Sequence, residues 1–124
     1  MDLTLEDGLL SVCRLDADTP WPEPSATGLW SVTRTPDELS VVCPQGQEPQ
    51  GARVEAGWRS FRVMGPLAFD LIGVVASLAT PLANAEIGIF IVSTFDTDLL
   101  LVKEADADRA LGALRSAGHV VQGV

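Results

Sequence analysis

Five polar residues lie close together within one largely apolar stretch, residues 87–103, and could contact a small ligand. The stretch reads IGIFIVSTFDTDLLLVK, and its polar members before the final lysine are Ser93, Thr94, Asp96, Thr97 and Asp98. Hydroxyl groups donate and accept hydrogen bonds, and carboxylates accept charge-assisted ones. Held on a rigid hairpin, these groups would form the edge of a small-ligand site. The alternative is an ordinary turn, in which Asp and Thr only stabilise the backbone.

Catalysis or a metal centre has little support from these residue types. Asp96 and Asp98 are two carboxylates beside a turn, and no histidine accompanies them. His119 is the single histidine and follows the expected end of a helix, which favours a helix-terminal or surface position. Cys13 and Cys43 do not form a CxxC motif, and we expect both to be thiols in the core. A disulfide between them is possible only if their strands are neighbours. We therefore expect no catalytic residue, no metal, no cofactor and no enzymatic activity.

The composition indicates an acidic, globular protein. Its 124 residues are 47% hydrophobic and 20% charged, with a net charge of −9, which suits one domain or two small lobes. Such a charge repels phosphate, so a nucleic-acid partner is not expected. The chain shows no signal pattern and no apolar run that approaches a membrane span. We therefore expect no membrane partner and a cytoplasmic location.

Two strands and a tight turn should position the polar cluster. The runs Ile87–Thr94 and Leu99–Val102 are rich in β-branched and leucine residues, and Phe95–Asp98 joins them. Successive residues of both runs are apolar, so both faces of this hairpin should be covered.

The second half of the chain predicts a ferredoxin-like order of elements. We expect strands at 58–64, 87–94, 98–103 and 119–122, and helices at 70–85 and 105–117. Asp70 should cap the first helix, and Gly118 should end the second. This βαββαβ order places two helices on one face of a four-stranded antiparallel sheet.

The first half predicts a smaller version of the same arrangement. Strands are expected at 9–15, 29–34, 39–43 and 53–55, after a loose lead-in at 1–8. Residues 29–42 align with 89–102 at a constant offset of 60, which indicates an internal repeat. The first copy is shorter between its first two strands, where three prolines disfavour a helix. We therefore predict a degenerate N-terminal lobe at 1–57 and a complete C-terminal lobe at 58–124.

Three segments resemble the ACT-domain superfamily, and more narrowly the small bacterial tandem-ACT proteins related to the amino-acid-binding lobes of animal cytosolic arginine sensors. They read SVTRTPDELSVVCP (31–44), GWRSFRVMGPLAFDLIGVVASLATPLA (57–83) and IGIFIVSTFDTDLLLV (87–102), and together cover about half of the chain. The resemblance implies an α+β fold of tandem ferredoxin-like lobes. It also implies a regulatory module that binds a free amino acid or a similar small metabolite without chemistry. Proteins of this family often form dimers, and the strand that begins at Ile87 is apolar on both faces. Together these points predict a homodimer.

The resemblance places the ligand where the loop after one strand meets the end of the next. On this chain the loop is Gly65, Pro66, Leu67, Ala68, Phe69 and Asp70, and the strand end is Ser93, Thr94, Phe95 and Asp96. Gly65 would allow a ligand to approach the backbone closely, and N–H groups at a helix start suit an α-carboxylate. Ser93, Thr94 and Asp96 would bind an α-ammonium group or a cationic side chain. Phe69 and Phe95 would supply an apolar wall.

Two alternatives remain open at this point. Glu86 follows the predicted helix where the similar proteins carry glycine, so either Glu86 or Asn84 must adopt a left-handed conformation there. The second alternative concerns function. A chain with this fold that had lost its ligand would serve as a protein-interaction or dimerisation module.

Overall fold

The computed structural model describes residues 1–25, 27–65, 67–68 and 72–123. Its strands are β1 (Asp2–Leu5), β2 (Leu10–Leu15), β3 (Ser31–Arg34), β4 (Leu39–Pro44), β5 (Arg53–Val63), β6 (Phe90–Ser93), β7 (Asp98–Lys103) and β8 (Val120–Gly123). Its helices are α1 (Val74–Asn84) and α2 (Ala107–Ser116), the second preceded by a short 3-10 turn at Glu104–Asp106. Neither helix, nor any other in the described ranges, is long and apolar enough to cross a membrane.

The chain divides into two compact units. The N-terminal unit comprises Gly8–Trp58, and the C-terminal unit comprises Arg59–Val124 together with Met1–Asp7. The prediction of a loose lead-in at residues 1–8 is therefore wrong. Residues 2–5 form β1, and Leu3 and Leu5 are 1% and 3% exposed. The assignment of 1–57 and 58–124 as two copies of one lobe stays a prediction.

The C-terminal unit has the predicted α+β architecture with one strand added. From β5 onward its elements follow the order βαββαβ, and its strands pair in the order β6-β7-β5-β1-β8. The added strand β1 runs antiparallel to β5 and parallel to β8. Both helices contribute to one core with the sheet, through Leu78 and Leu82 of α1 and Leu114 of α2. Leu78 and Leu82 are four residues apart and so share one face of α1.

Helix α1 begins later than the sequence predicts. Its first residue is Val74 and its N-cap is Gly73, at φ 82° and without a side-chain hydrogen bond to the helix. The predicted helix from residue 70 is therefore wrong in its start. Asp70, which the sequence predicts as the cap, and Leu71 lie outside the described residues. A glycine tolerates this left-handed conformation because it lacks a Cβ atom.

The two helices end in the same hydrogen-bonded motif, but with different residues in its left-handed position. After α2, the N–H of Gly118 bonds to the Arg115 carbonyl, and that of His119 bonds to the Leu114 carbonyl. After α1, the N–H of Glu86 bonds to the Ala83 carbonyl, and the N–H of Ile87 bonds to the Leu82 carbonyl at 2.9 Å. This pair of bonds defines the Schellman motif, whose left-handed residue is usually glycine. Gly118 has φ 97°, and Glu86 has φ 59°. Of the two residues considered above, Glu86 and not Asn84 therefore adopts the left-handed conformation.

Glu86→Gly is expected to raise the free energy of unfolding by about 1 kcal/mol, because it removes the Cβ penalty of a positive φ. Chemical denaturation of the parent and the variant would measure the change. Glu86→Ala is the matched control: it removes the carboxylate but keeps the Cβ atom, so it should give no comparable gain. Equal stabilisation by both substitutions would contradict the backbone explanation.

His119 compensates for a hydrogen bond that Pro81 removes from α1. Proline has no N–H, so the carbonyl of Ser77, four residues earlier, has no partner within the helix. The Nε2 atom of His119 lies 2.9 Å from that carbonyl oxygen and donates to it in the tautomer that carries the proton on Nε2. The expected position of this histidine at the end of α2 is confirmed, and its ring supplies the donor that Pro81 cannot provide to the Ser77 carbonyl.

His119→Ala is expected to lower the free energy of unfolding by about 1 kcal/mol, the usual net contribution of such a hydrogen bond. Pro81→Ala restores an N–H to the helix, so the histidine should matter much less in that background. A double-mutant cycle by chemical denaturation measures this coupling. Equal losses in both backgrounds would show that the ring contributes by packing alone.

The N-terminal unit is a small antiparallel sheet. Its strands pair in the order β3-β4-β2-β5, and every pairing is antiparallel. Its core is a cluster of five buried residues, Cys13, Leu15, Leu39, Val41 and Cys43. None of its described residues is helical, in agreement with the proline-rich segment at 20–24. Its cover therefore comes from partly buried side chains, Trp30, Val32 and Ala52.

The hairpins of the two units have the same hydrogen-bond register at an offset of 59 residues, so the predicted offset of 60 is wrong. The last ladder pair before the turn is Arg34 with Leu39 in the N-terminal unit, and Ser93 with Asp98 in the C-terminal unit. Because side chains alternate between faces, a shift of one residue would exchange the buried faces.

The core residues agree with the shorter offset. Val41 and Cys43 face the N-terminal cluster, and their counterparts Leu100 and Val102 face the C-terminal cluster. The expectation that both faces of this hairpin are covered is confirmed for β7, because Leu99, Leu100, Leu101 and Val102 are all at most 5% exposed. Such continuous apolarity explains why the sequence alignment could not detect the slip.

Candidate functional site

An open cleft of about 550 Å³ lies at one end of the C-terminal unit. Three segments form it: the loop after β5, the first turn of α1 and the turn between β6 and β7. Its lining residues are Leu67, Ala68, Gly73, Val74, Val75, Ala76, Thr94, Phe95, Asp96, Thr97 and Asp98. Four of the predicted ligand-binding residues, Leu67, Thr94, Phe95 and Asp96, are thus brought together, with Ala68 of the same loop, whereas Gly65 and Ser93 are not among the lining residues. Pro66, Phe69 and Asp70 lie outside the described residues.

Two hydrogen bonds fix the loop after β5 against the β6–β7 turn. The N–H of Leu67 donates to the Asp96 carbonyl at 2.8 Å, and the Thr97 hydroxyl donates to the Val63 carbonyl at 2.6 Å. Gly65 makes the approach sterically feasible. A Cβ atom there would lie 3.0 Å from the Leu67 nitrogen and 3.1 Å from the Asp96 carbonyl oxygen. Gly65 thus permits a close approach of the neighbouring backbone, and its predicted role in admitting a ligand stays a prediction.

The hydroxyl groups of the turn are largely used within it. Thr94 bonds through its N–H to the Thr97 carbonyl at 2.8 Å, and its hydroxyl accepts from the Thr97 N–H. The Ser93 hydroxyl donates to a carboxylate oxygen of Asp98 at 2.6 Å. These bonds are the ones that the plain-turn alternative requires, and the predicted ligand contacts of Ser93 and Thr94 stay predictions. Within the described ranges, the Asp96 carboxylate has no such partner and is exposed beside the cleft.

The cleft presents both signs of charge. The first turn of α1 has backbone N–H groups that lack an acceptor within the helix. The helix dipole adds positive potential at this end. The carboxylates of Asp96 and Asp98 supply negative charge to the cleft, and its described lining residues include no Lys, Arg or His. Apolar surface lies around this arrangement, because Phe95 is 79% exposed and Ile72, next to the helix N-cap, is 94% exposed.

The contribution of residues 73–76 is the part of the site that the sequence did not predict. The predicted helix began at residue 70, so its N–H groups were placed one turn too early. Gly73 was the available signal, because a glycine inside an amphipathic pattern often marks a helix boundary instead of an interior position.

The cysteines are not a reactive pair in this fold. Cys13 and Cys43 are free thiols on the neighbouring strands β2 and β4, and they are 3% and 0% exposed. Burial raises the pKa of Cys13 to about 12, because the apolar surroundings disfavour the charged thiolate. The expected core role of both residues is confirmed. No group of three or more His, Cys, Asp or Glu side chains suited to a metal ion occurs in the described part of the chain.

Comparison with known families identifies the unit that carries the cleft. The sequence model of the ACT domain matches residues 53–116, which is half of the chain. The protein belongs to the ACT-domain family. A second family model, described as an N-terminal domain, matches residues 8–51. The resemblance found in the sequence is thereby confirmed.

Relatives of this ACT-domain protein include one sensor and one small bacterial protein. The human cytosolic arginine sensor for mTORC1 subunit 1 is 34% identical over 97 residues, which cover 72% of this chain and 30% of the sensor. The chain thus spans about a third of the length of that relative. A protein of known crystal structure from Agobacterium tumefaciens is 42% identical, with a TM-score of 0.91 over 99% of this chain and 92% of that one.

The fold is shared more widely than the sequence. The ligand-free regulatory subunit of aspartate kinase from Thermus thermophilus has a TM-score of 0.64, covering 94% of this chain and 96% of its own, at 12% identity. Together with the family membership, these similarities support a small-molecule-binding regulatory module.

Proposed function

We propose that this ACT-domain protein is a cytoplasmic regulatory module that binds a free amino acid in the cleft of its C-terminal unit, without catalysis. One observation supports the proposal: a helix N-terminus and two carboxylates line the same cleft. A free amino acid carries a carboxylate and an ammonium group a few ångströms apart, so it complements both kinds of group. The volume of about 550 Å³ lies within the usual range for small-molecule sites.

The acceptors of the cleft favour an amino acid with a cationic side chain. Asp96 and Asp98 both line it, and neither is neutralised by a basic side chain among the lining residues. One carboxylate can pair with the α-ammonium group, which leaves the other for a second positive charge. The named ligand of the similar human sensor, arginine, is a compound of this class.

Thermal melting of ligand-free protein with each common amino acid tests the proposal. A ligand that binds only the native state stabilises it by about 2.7 kcal/mol at a hundredfold excess over Kd. We expect a clear rise in Tm with at least one cationic amino acid and little change with acidic ones. An unchanged Tm with every amino acid would contradict binding at this cleft.

A protein-interaction role is the second candidate, because Ile72 and Phe95 are large apolar side chains exposed at the cleft. Under this proposal, the surface contacts a second copy of the chain in a homodimer. Light scattering should then give a dimer mass for the parent and a lower mass for Ile72→Ser. A monomer mass at high concentration would reject the homodimer.

A further inference from the structure

The hydrogen-bond register locates the position in the N-terminal unit that corresponds to the cleft, which is called its counterpart here. At the offset of 59, the turn residues Thr35 and Asp37 correspond to Thr94 and Asp96. Thr35 bonds through its N–H to the Glu38 carbonyl at 2.9 Å, as Thr94 does to the carbonyl three residues on. The turn after β3 therefore closes with the same backbone hydrogen bond as the turn after β6.

Two arginine side chains make the contacts of this counterpart. Arg34 stands where the C-terminal unit has Ser93, since each forms the last ladder pair before its turn. The guanidinium of Arg34 donates to the carbonyls of Ala17 and Thr19, the latter at 2.7 Å. A second guanidinium, that of Arg14, donates to the Asp37 carbonyl at 3.0 Å, whereas in the C-terminal unit the equivalent Asp96 carbonyl accepts from backbone.

The groups around Arg34 suit a guanidinium in particular. Two carbonyl oxygens on one loop accept from two different nitrogens of the planar fork, which an ammonium group cannot reproduce with the same geometry. The Trp21 ring lies beside the fork, with its centroid 5.7 Å from the central carbon of Arg34. An indole face stabilises a cation at this distance. These three groups (the Ala17 carbonyl, the Thr19 carbonyl and the Trp21 ring) are called the Trp21 cradle below.

We propose that the Trp21 cradle is a guanidinium-binding site that the chain fills with its own Arg34, so that an external ligand binds the C-terminal cleft and not this position. The part of the proposal that concerns the external ligand rests on the proposed function of the C-terminal cleft. The statement about the cradle does not, because its acceptors and its present occupant all lie in the N-terminal unit. Serine at position 34 would reproduce the open arrangement of Ser93.

Chemical rescue of Arg34→Ser by methylguanidinium tests the cradle. The indole N–H signal of Trp21, assigned through Trp21→Phe, should shift in a saturable way when millimolar methylguanidinium is added to the variant. Methylammonium, which has the charge without the fork, should bind at least tenfold more weakly. The parent should show no saturable shift of this signal, because Arg34 already occupies the cradle.

Arg53→Ser is the matched control, because Arg53 is an exposed arginine of the same unit at a position away from the cradle. It should behave like the parent. If Arg34→Ser does not fold, Arg34→Gln keeps a long neutral side chain and should show the same rescue. An absent shift in a folded Arg34 variant, or an equal shift in the parent, would overturn the proposal. Methylguanidinium is not an amino acid, so failure of the amino-acid melt leaves this outcome interpretable.

Discussion

Asp96→Ala is expected to weaken binding of the amino acid that raises the Tm by at least roughly tenfold. The Asp96 carboxylate lines the cleft and is exposed, so it can accept a charge-assisted hydrogen bond from an ammonium group. Loss of such a bond typically costs about 1.5–3 kcal/mol, and about 1.4 kcal/mol is a factor of ten in Kd. Isothermal titration calorimetry on the parent and the variant measures the change.

Without ligand, the parent and the Asp96→Ala variant should have nearly the same Tm, because an exposed turn carboxylate contributes little to folding. Asp37→Ala is the matched control. It removes the equivalent carboxylate from the turn of the N-terminal unit, whose site is filled by Arg34, so it should leave the affinity unchanged. An unaltered Kd in Asp96→Ala would move the ligand away from this wall of the cleft.

Gly65→Ala is expected to reduce both stability and ligand binding. The new Cβ atom would lie 3.0 Å from one backbone atom and 3.1 Å from another, and neither is a flexible side chain that could rotate away. The loop must therefore retreat from the β6–β7 turn, which weakens the hydrogen bond between Leu67 and Asp96. Overpacking of this kind typically costs about 1–3 kcal/mol of unfolding free energy. Denaturation and calorimetry on the same samples measure both effects.

Gly112→Ala provides the comparison. Gly112 lies inside α2, and a Cβ atom added there meets nothing within 4 Å. Alanine is the better helix former, so this change should raise stability and leave binding unchanged. If Gly65→Ala were as harmless as Gly112→Ala, the close approach at Gly65 would have no role in shaping the cleft.

The order of the C-terminal elements could be predicted from the sequence for a physical reason. Helix α2 has an apolar pattern of helical period, strand β7 is a short continuous apolar run, and Gly118 terminates α2 locally. The turn chemistry of residues 94–97 is also local, because the hydroxyl of Thr94 bonds within four residues. Interactions over such short distances along the chain can be read from residue types alone.

Three features were predicted wrongly, and two of them depended on contacts between distant parts of the chain. Strand β1 is only four residues long, and its partners are β5 and β8, so no local pattern could distinguish it from a loose terminus. The repeat offset depended on which face each residue buries, and a continuously apolar strand conceals that choice. The N-cap of α1 at Gly73 displaced the start of the helix.

The sequence by itself determined the class of fold, the family and the polar turn beside which the ligand is proposed to bind. The tertiary structure alone decided which groups meet there: the first turn of α1 and the carboxylate of Asp96 in one cleft, and Arg34 against Trp21 in the other unit. The physical reason is that composition and period report what each segment must bury or cap. The partner that a polar group finds depends instead on distances between segments, which only packing fixes.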